Sequence, residues 1–297
     1  MAPVAAAVLP HPPLLVPELA GTAAPELDPL RAACHEALST VLAATDLTLI
    51  IGNGPSWAIP APTASGSFHP YGAGVEVTLP ALADLDAPGV ADPDLPAPAR
   101  LSELPLSLAV AAHLLANLDP PPGGTTGADR PPGAGRLWAA TVPPSLGPRA
   151  AAGIGRALNS AGRFGLVVMA DLSACRTERA PGAFRPEAAE FDARVGDAFR
   201  AGAPQRLLAL DPARAADLLV AGRVPLQVLA GTFAPDSAPG DDLVGQAGPA
   251  SGRDRSGDHG LAAGPARQGT VTGVRGRVLY EGAPYGVGYL VVLLTAP

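Results

Sequence analysis

The chain has little of what would make several functional classes easy to read. Its 297 residues hold two cysteines, Cys34 and Cys175, with no CxxC pairing. Neither a disulfide framework nor a zinc site is therefore expected. Aromatic residues make up 4% of the chain against 47% hydrophobic residues, so the interior should be packed from Ala, Leu and Val. Clustered Lys and Arg are missing and the formal charge is −7, which argues against a nucleic-acid partner. The last apolar run, residues 289–294, is far too short to span a bilayer, and no repeat at a solenoid period is visible. The opening Met1, Ala2, Pro3, Val4 has no positive n-region, and the run behind it is broken by Pro10, His11 and Pro12. A signal peptide is not expected, and a cytoplasmic location off the membrane is.

What the chain has in excess is Gly and Pro, 35 and 36 residues, which implies long loops between elements. Residues 119–136 form a Pro/Gly loop. Residues 234–268 are low-complexity and contain His259, and they read as a mobile insertion that cannot bury enough apolar surface to order itself. The length suits one α/β domain over residues 1–297.

Hydrophobic periodicity places the elements. A short Val/Ala run from Val4 ends at His11, fenced by prolines that fix φ and remove ladder donors. Residues 25–44 show Leu27, Leu30, Cys34, Leu38 and Val41 at helical spacing, and Leu47 to Ile51 is a second buried strand closed by Gly52, Asn53, Gly54 and Pro55. This strand–helix–strand unit predicts two parallel strands with a right-handed crossover. Residues 60–74 read as loop, 75–79 as a strand and 81–100 as irregular. A helix is expected from Ser102, as N-cap, to Leu118; His113 inside it reads as structural or solvent-facing. Further on come a strand at 137–142, a helix at 144–161, the most hydrophobic strand at 164–170 and a helix at 186–200. Short helices at 204–209 and 212–221, a helix within 223–233 and a strand pair over 274–294 follow. The expected architecture is α/β, with a mostly parallel central sheet flanked by helices on both faces.

Candidate functional residues fall where buried strands end. Ligands of open α/β sheets bind in the crevice outside the carboxyl ends of the strands, so His11 is expected there, free to ligate a metal or move a proton. The strand at 164–170 runs into Asp171, Leu172, Ser173, Ala174, Cys175, Arg176, Thr177, Glu178 and Arg179, a polar stretch placed as an active-site rim would be. Because parallel strands present their carboxyl ends on one side, Asp171 to Arg179 should line the same crevice as His11. His69, in the loop behind Phe68, is a second candidate imidazole.

Four stretches together resemble the class III extradiol ring-cleavage dioxygenases, in particular their catalytic B subunit (LigB type). They are the N-terminal strand ending in His11-Pro12-Pro13, the run Val168 to Ser173, the segment Pro186 to Asp192, and the ending Tyr285 to Tyr289. The resemblance implies a LigB-like fold and a mononuclear non-heme Fe(II) held by two His and one Glu. It implies an aromatic small-molecule substrate, and a partner subunit or homo-oligomer. His11 matches the first ligand; His69 and Glu281 are the candidates for the other two. Asp171 and Glu178 are the catalytic candidates, and Ser173 and Arg176 the substrate-binding ones. The chain departs from the family pattern at Gly52-Asn53-Gly54, where the second His is expected, and at Ala174, which replaces the acid/base His and cannot take a proton. A LigB-fold protein that binds a small molecule or a partner without catalysis is the alternative expectation.

Overall fold

Short apolar strands separated by helices build the fold. The computed structural model describes residues 2–80, 82, 97–118, 136–234 and 273–296. The low-complexity residues 235–268, with His259, and the loop 119–135 lie outside the described residues, as does most of 81–96. In chain order the elements are β1 (Ala5–Leu9), α1 (Pro17–Ala20), α2 (Asp28–Ala44), β2 (Leu47–Asn53), β3 (Ala58–Ser67), β4 (Glu76–Thr78), β5 (Ala99–Glu103) and α3 (Leu106–Ala116). They continue with β6 (Arg136–Val142), α4 (Pro148–Leu158), β7 (Gly165–Met169), α5 (Glu187–Arg200), α6 (Pro212–Asp217), α7 (Arg223–Thr232), β8 (Arg275–Gly282) and β9 (Tyr289–Thr295).

The strands form one mixed sheet in the order β4-β3-β6-β2-β7-β1-β9-β8, with β5 beside β3. Its centre, β6-β2-β7-β1, is parallel throughout. Toward one edge β9 and β8 run antiparallel, and toward the other β3 meets β6 and β4 antiparallel. The expected mostly parallel sheet is instead a mixed one, parallel at its four central strands, and the α/β class holds. β1 and β2 are parallel as expected, but β7 is threaded between them.

Strand alternation sends side chains to two cores. From β1, Ala6 and Val8 join the core under α4, α5 and α7, while Ala5, Ala7 and Leu9 join the core under α2 and α3. Helices therefore cover both faces. On the first face α4 and α7 pack so closely that a Cβ on Gly155 would lie 2.1 Å from the Val228 carbonyl oxygen, and one on Gly231 2.4 Å from that of Ala152.

The differences from the sequence reading have local causes. Residues 60–67 are strand rather than loop, because Pro60 and Pro62 sit where the β3–β5 pairing shifts register, between Pro60 and Ser65, the place a sheet tolerates proline. Ser102 lies in β5, and α3 starts at Leu106 with Pro105 as its N-cap. His113 is buried in α3, edge-on to Phe68. Asp211 caps α6 as its sequence predicts, accepting the Arg214 amide at 2.7 Å.

Candidate functional site

Three neighbouring strands deliver one polar row to the carboxyl edge of the parallel sheet. The β1–β7 register pairs Leu9 with Met169, so two residues on His11 and Asp171 share a level and the face of Leu9 and Met169. The backbone keeps this register past the strands: the Ala170 amide donates to the Leu9 carbonyl at 2.7 Å, and the His11 amide donates to Asp171 Oδ1 at 2.7 Å. On the other side β9 begins at Tyr289, whose alternation places it on the same face with Val291 and Leu293. The preceding segment crosses toward Asp171, since Leu172 donates to the Gly288 carbonyl at 3.0 Å and Gly288 donates to that of Ser173 at 2.7 Å. The result is an acid, an imidazole and a phenol at one sheet edge under α2.

The imidazole is the least satisfied member. His11 is 3% exposed, and its Nδ1 is buried without a hydrogen bond. Asp171 Oδ1 lies 3.7 Å from it, an ion-pair distance but longer than a hydrogen bond. The Asp171 carboxylate remains partly open, its side chain 16% exposed. Cys34 of α2 is fully buried nearby, and burial, with the Asp171 charge second, pushes its thiol far up. Burial likewise raises the Tyr289 phenol, helped by the charge of Asp171 and then by Tyr280 and Tyr285. These groups stay protonated at neutral pH and are hydrogen-bond donors rather than charges. At the rim Tyr285 takes a left-handed backbone, φ 58°, and its hydroxyl donates to Glu26 Oε2 at 2.8 Å. Tyr280 of β8 folds its ring over Gly282, where a Cβ would lie 2.8 Å from its hydroxyl.

The remaining residues of the polar stretch turn elsewhere. Ser173 is buried, its hydroxyl donating to the Leu218 carbonyl at 3.0 Å and accepting the Cys175 amide at 3.1 Å. Arg176 donates to the Asp192 carboxylate of α5 at 2.8 Å, and Asp192 also accepts the Ser173 amide at 3.0 Å. Burial raises the Asp192 carboxyl, against the lowering effect of these two bonds. Glu178 is exposed on the loop, and Ala174 holds main-chain bonds with Leu218 and Gly182. Of this stretch, Asp171 alone has a side-chain interaction with His11.

The ligand set implied by the dioxygenase resemblance is not assembled. His69 is exposed in the turn after β3, beside the Phe68 that packs against α3. Glu281 pairs with Arg200 of α5, the helix that covers the opposite face. Among the described residues no three His, Cys, Asp or Glu side chains converge as a metal site. A facial triad needs three such donors around one point; with His69 and Glu281 on opposite faces of the sheet, the residues present do not fit that Fe(II) site.

Sequence reasoning places His11 and Asp171 at one edge but assigns no role to Tyr289, Cys34 or Asp192. For Tyr289 the signal is the β1–β9 register, which no local pattern sets. Cys34 shows only as one apolar position of a helix. Asp192 shows in the sequence as the end of the segment Pro186 to Asp192, but its pairing with Arg176 appears only once its helix is docked.

No protein-family model and no curated protein matches the chain. Among solved structures it is similar to that of the uncharacterized protein JW3007 from Escherichia coli K12, with a TM-score of 0.52 and 11% identity over 98% of this chain and 99% of that one. That likeness supports the α/β fold over its whole length. No helix among the described residues is long and apolar enough to cross a membrane.

Proposed function

We propose that this chain binds a small molecule at the carboxyl edge of β1 and β7, on a fold resembling that of the extradiol dioxygenase B subunit, and without that family's iron triad. The observation that carries the reading is the buried His11 ring, whose Nδ1 makes no hydrogen bond beside a carboxylate left partly open. A buried polar atom without a partner costs about 1–3 kcal/mol, and a ligand group that bonded it would recover that cost. Its position supports the same reading, because open α/β sheets bind ligands at the carboxyl ends of their parallel strands. A cytoplasmic protein binding an aromatic or other small organic molecule belongs to this reading.

Thermal-shift measurements test it, on full-length protein purified without chelators and presented with catechols, aromatic amines and aromatic carboxylates. The expected result is a rise in melting temperature with one class, lost in His11→Ala. The runner-up is the Fe(II)-dependent ring-cleaving dioxygenase, for which His11 at the end of β1 is the supporting residue. Stoichiometric iron together with ring-opening absorbance on catechol, both lost in His11→Ala, would overturn the proposal in its favour.

A further inference from the structure

We infer that the ligand of this edge carries a protonated amine. The inference rests on the binding reading above and names its ligand class. Asp171 is a carboxylate with a partly open side chain, and among the described residues its one charged-group neighbour is His11. One of its oxygens accepts the His11 amide; among the described residues no hydrogen bond reaches the other.

Several arginines of the surrounding elements are paired with other groups. Arg176 is bonded to Asp192, Arg31 to Asp28 and the Ala24 carbonyl, Arg277 to Glu36, and Arg200 to Asp197 and Glu281. All 20 basic residues of the chain are arginines, so no lysine ammonium serves this carboxylate. A ligand carboxylate would meet the charge of Asp171, whereas an ammonium would complement it.

The second observation is independent of the carboxylate. His11 Nδ1 is a buried ring nitrogen with no partner, 3.7 Å from Asp171 Oδ1. In the neutral ring with its proton on Nε2, Nδ1 is an acceptor, and an ammonium carries three donors that can meet two acceptors this close together. Tyrosines flank the edge. Tyr289 shares the row, Tyr280 lies on the adjoining strand, and the exposed Tyr285 stands at the rim with Glu26. Aromatic faces and carboxylates both attract cations, and the net charge of −7 draws a cation toward the protein. An amine is the chemistry that satisfies the acid and the imidazole together.

Isothermal titration of the full-length chain at pH 7.5 compares three probes of one shape: phenethylammonium, phenethyl alcohol and 3-phenylpropionate. Phenethylammonium is expected to bind at least about tenfold tighter than either analogue, the factor one charge-assisted hydrogen bond supplies. Asp171→Asn, which keeps an acceptor for the His11 amide, is expected to remove that preference. Equal or tighter binding of the alcohol or the propionate, lost in His11→Ala, would overturn the amine while leaving the binding edge intact. Failure of phenethylammonium to bind would also overturn it.

Discussion

Asp171 accepts the backbone amide of His11 at 2.7 Å, across 160 residues of sequence. The bond ties the loop after β7 to the proline-fenced turn after β1 and holds the imidazole against the carboxylate. Removing the acceptor strands a part-buried amide. Asp171→Ala is therefore expected to lower unfolding stability by about 2 kcal/mol, and Asp171→Asn by clearly less. Urea denaturation of the two variants checks this; equal losses would show that the amide bond is not what Asp171 supplies.

Arg176→Ala is expected to act through stability first. It leaves the Asp192 carboxylate, 2% exposed, without its guanidinium, and breaking such a pair from one side costs about 3 kcal/mol. The sign with pH follows from burial. Without Arg176 the folded-state value of Asp192 rises further above the unfolded one, near 3.9. The folded protein then takes up the extra proton as pH falls, so the deficit is largest at neutral pH and shrinks toward pH 4. Denaturation midpoints at pH 7 and pH 4.5 measure it, and a deficit that grows on acidification would contradict the pairing.

Part of this site is legible in the sequence, and the division has physical causes. β1, β2, β7 and the helices flanking them announce themselves by apolar runs and periodicity. The rule that parallel strands share a carboxyl edge then brings His11 to Asp171. β3 hides behind Pro60 and Pro62, and β5 behind its exposed, polar residues. The Arg176–Asp192 pair and the Tyr289 position depend on docking of α5 and on the register of β9, both set by contacts distant in sequence. Ser173 and Arg176 look like a rim in sequence because they are polar, yet their polarity is spent on main-chain groups and Asp192.

His113 gives the fold an acid sensitivity. Burial lowers its affinity for protons; Glu18 of α1 opposes the shift, and His35 and Arg31 of α2 reinforce it. The unfolded chain therefore binds the proton more readily. This contribution to stability is full above about pH 6.5 and is lost as pH falls below it. His113→Leu is expected to flatten the stability profile between pH 7 and pH 5. An unchanged slope would place the sensitivity elsewhere.

The crossing of α4 and α7 depends on glycine. A methyl on Gly155 would be driven into the Val228 carbonyl, at 2.1 Å, so Gly155→Ala is expected to cost about 2–3 kcal/mol despite its better helix propensity. Thermal denaturation reads this directly; a stabilised variant would show that the helices separate without cost.

The most direct test of the account compares four variants in one titration with phenethylammonium: His11→Ala, Asp171→Asn, His69→Ala and Glu281→Gln. Glu281 sits in a surface pair with Arg200 and His69 is exposed, so both changes should leave the fold within about 1 kcal/mol of wild type. The account predicts that His69→Ala and Glu281→Gln bind as the wild type does, while His11→Ala and Asp171→Asn lose at least about tenfold. Loss of binding in His69→Ala and Glu281→Gln to the same degree as in His11→Ala would contradict it, and would return the site to a His–His–Glu centre.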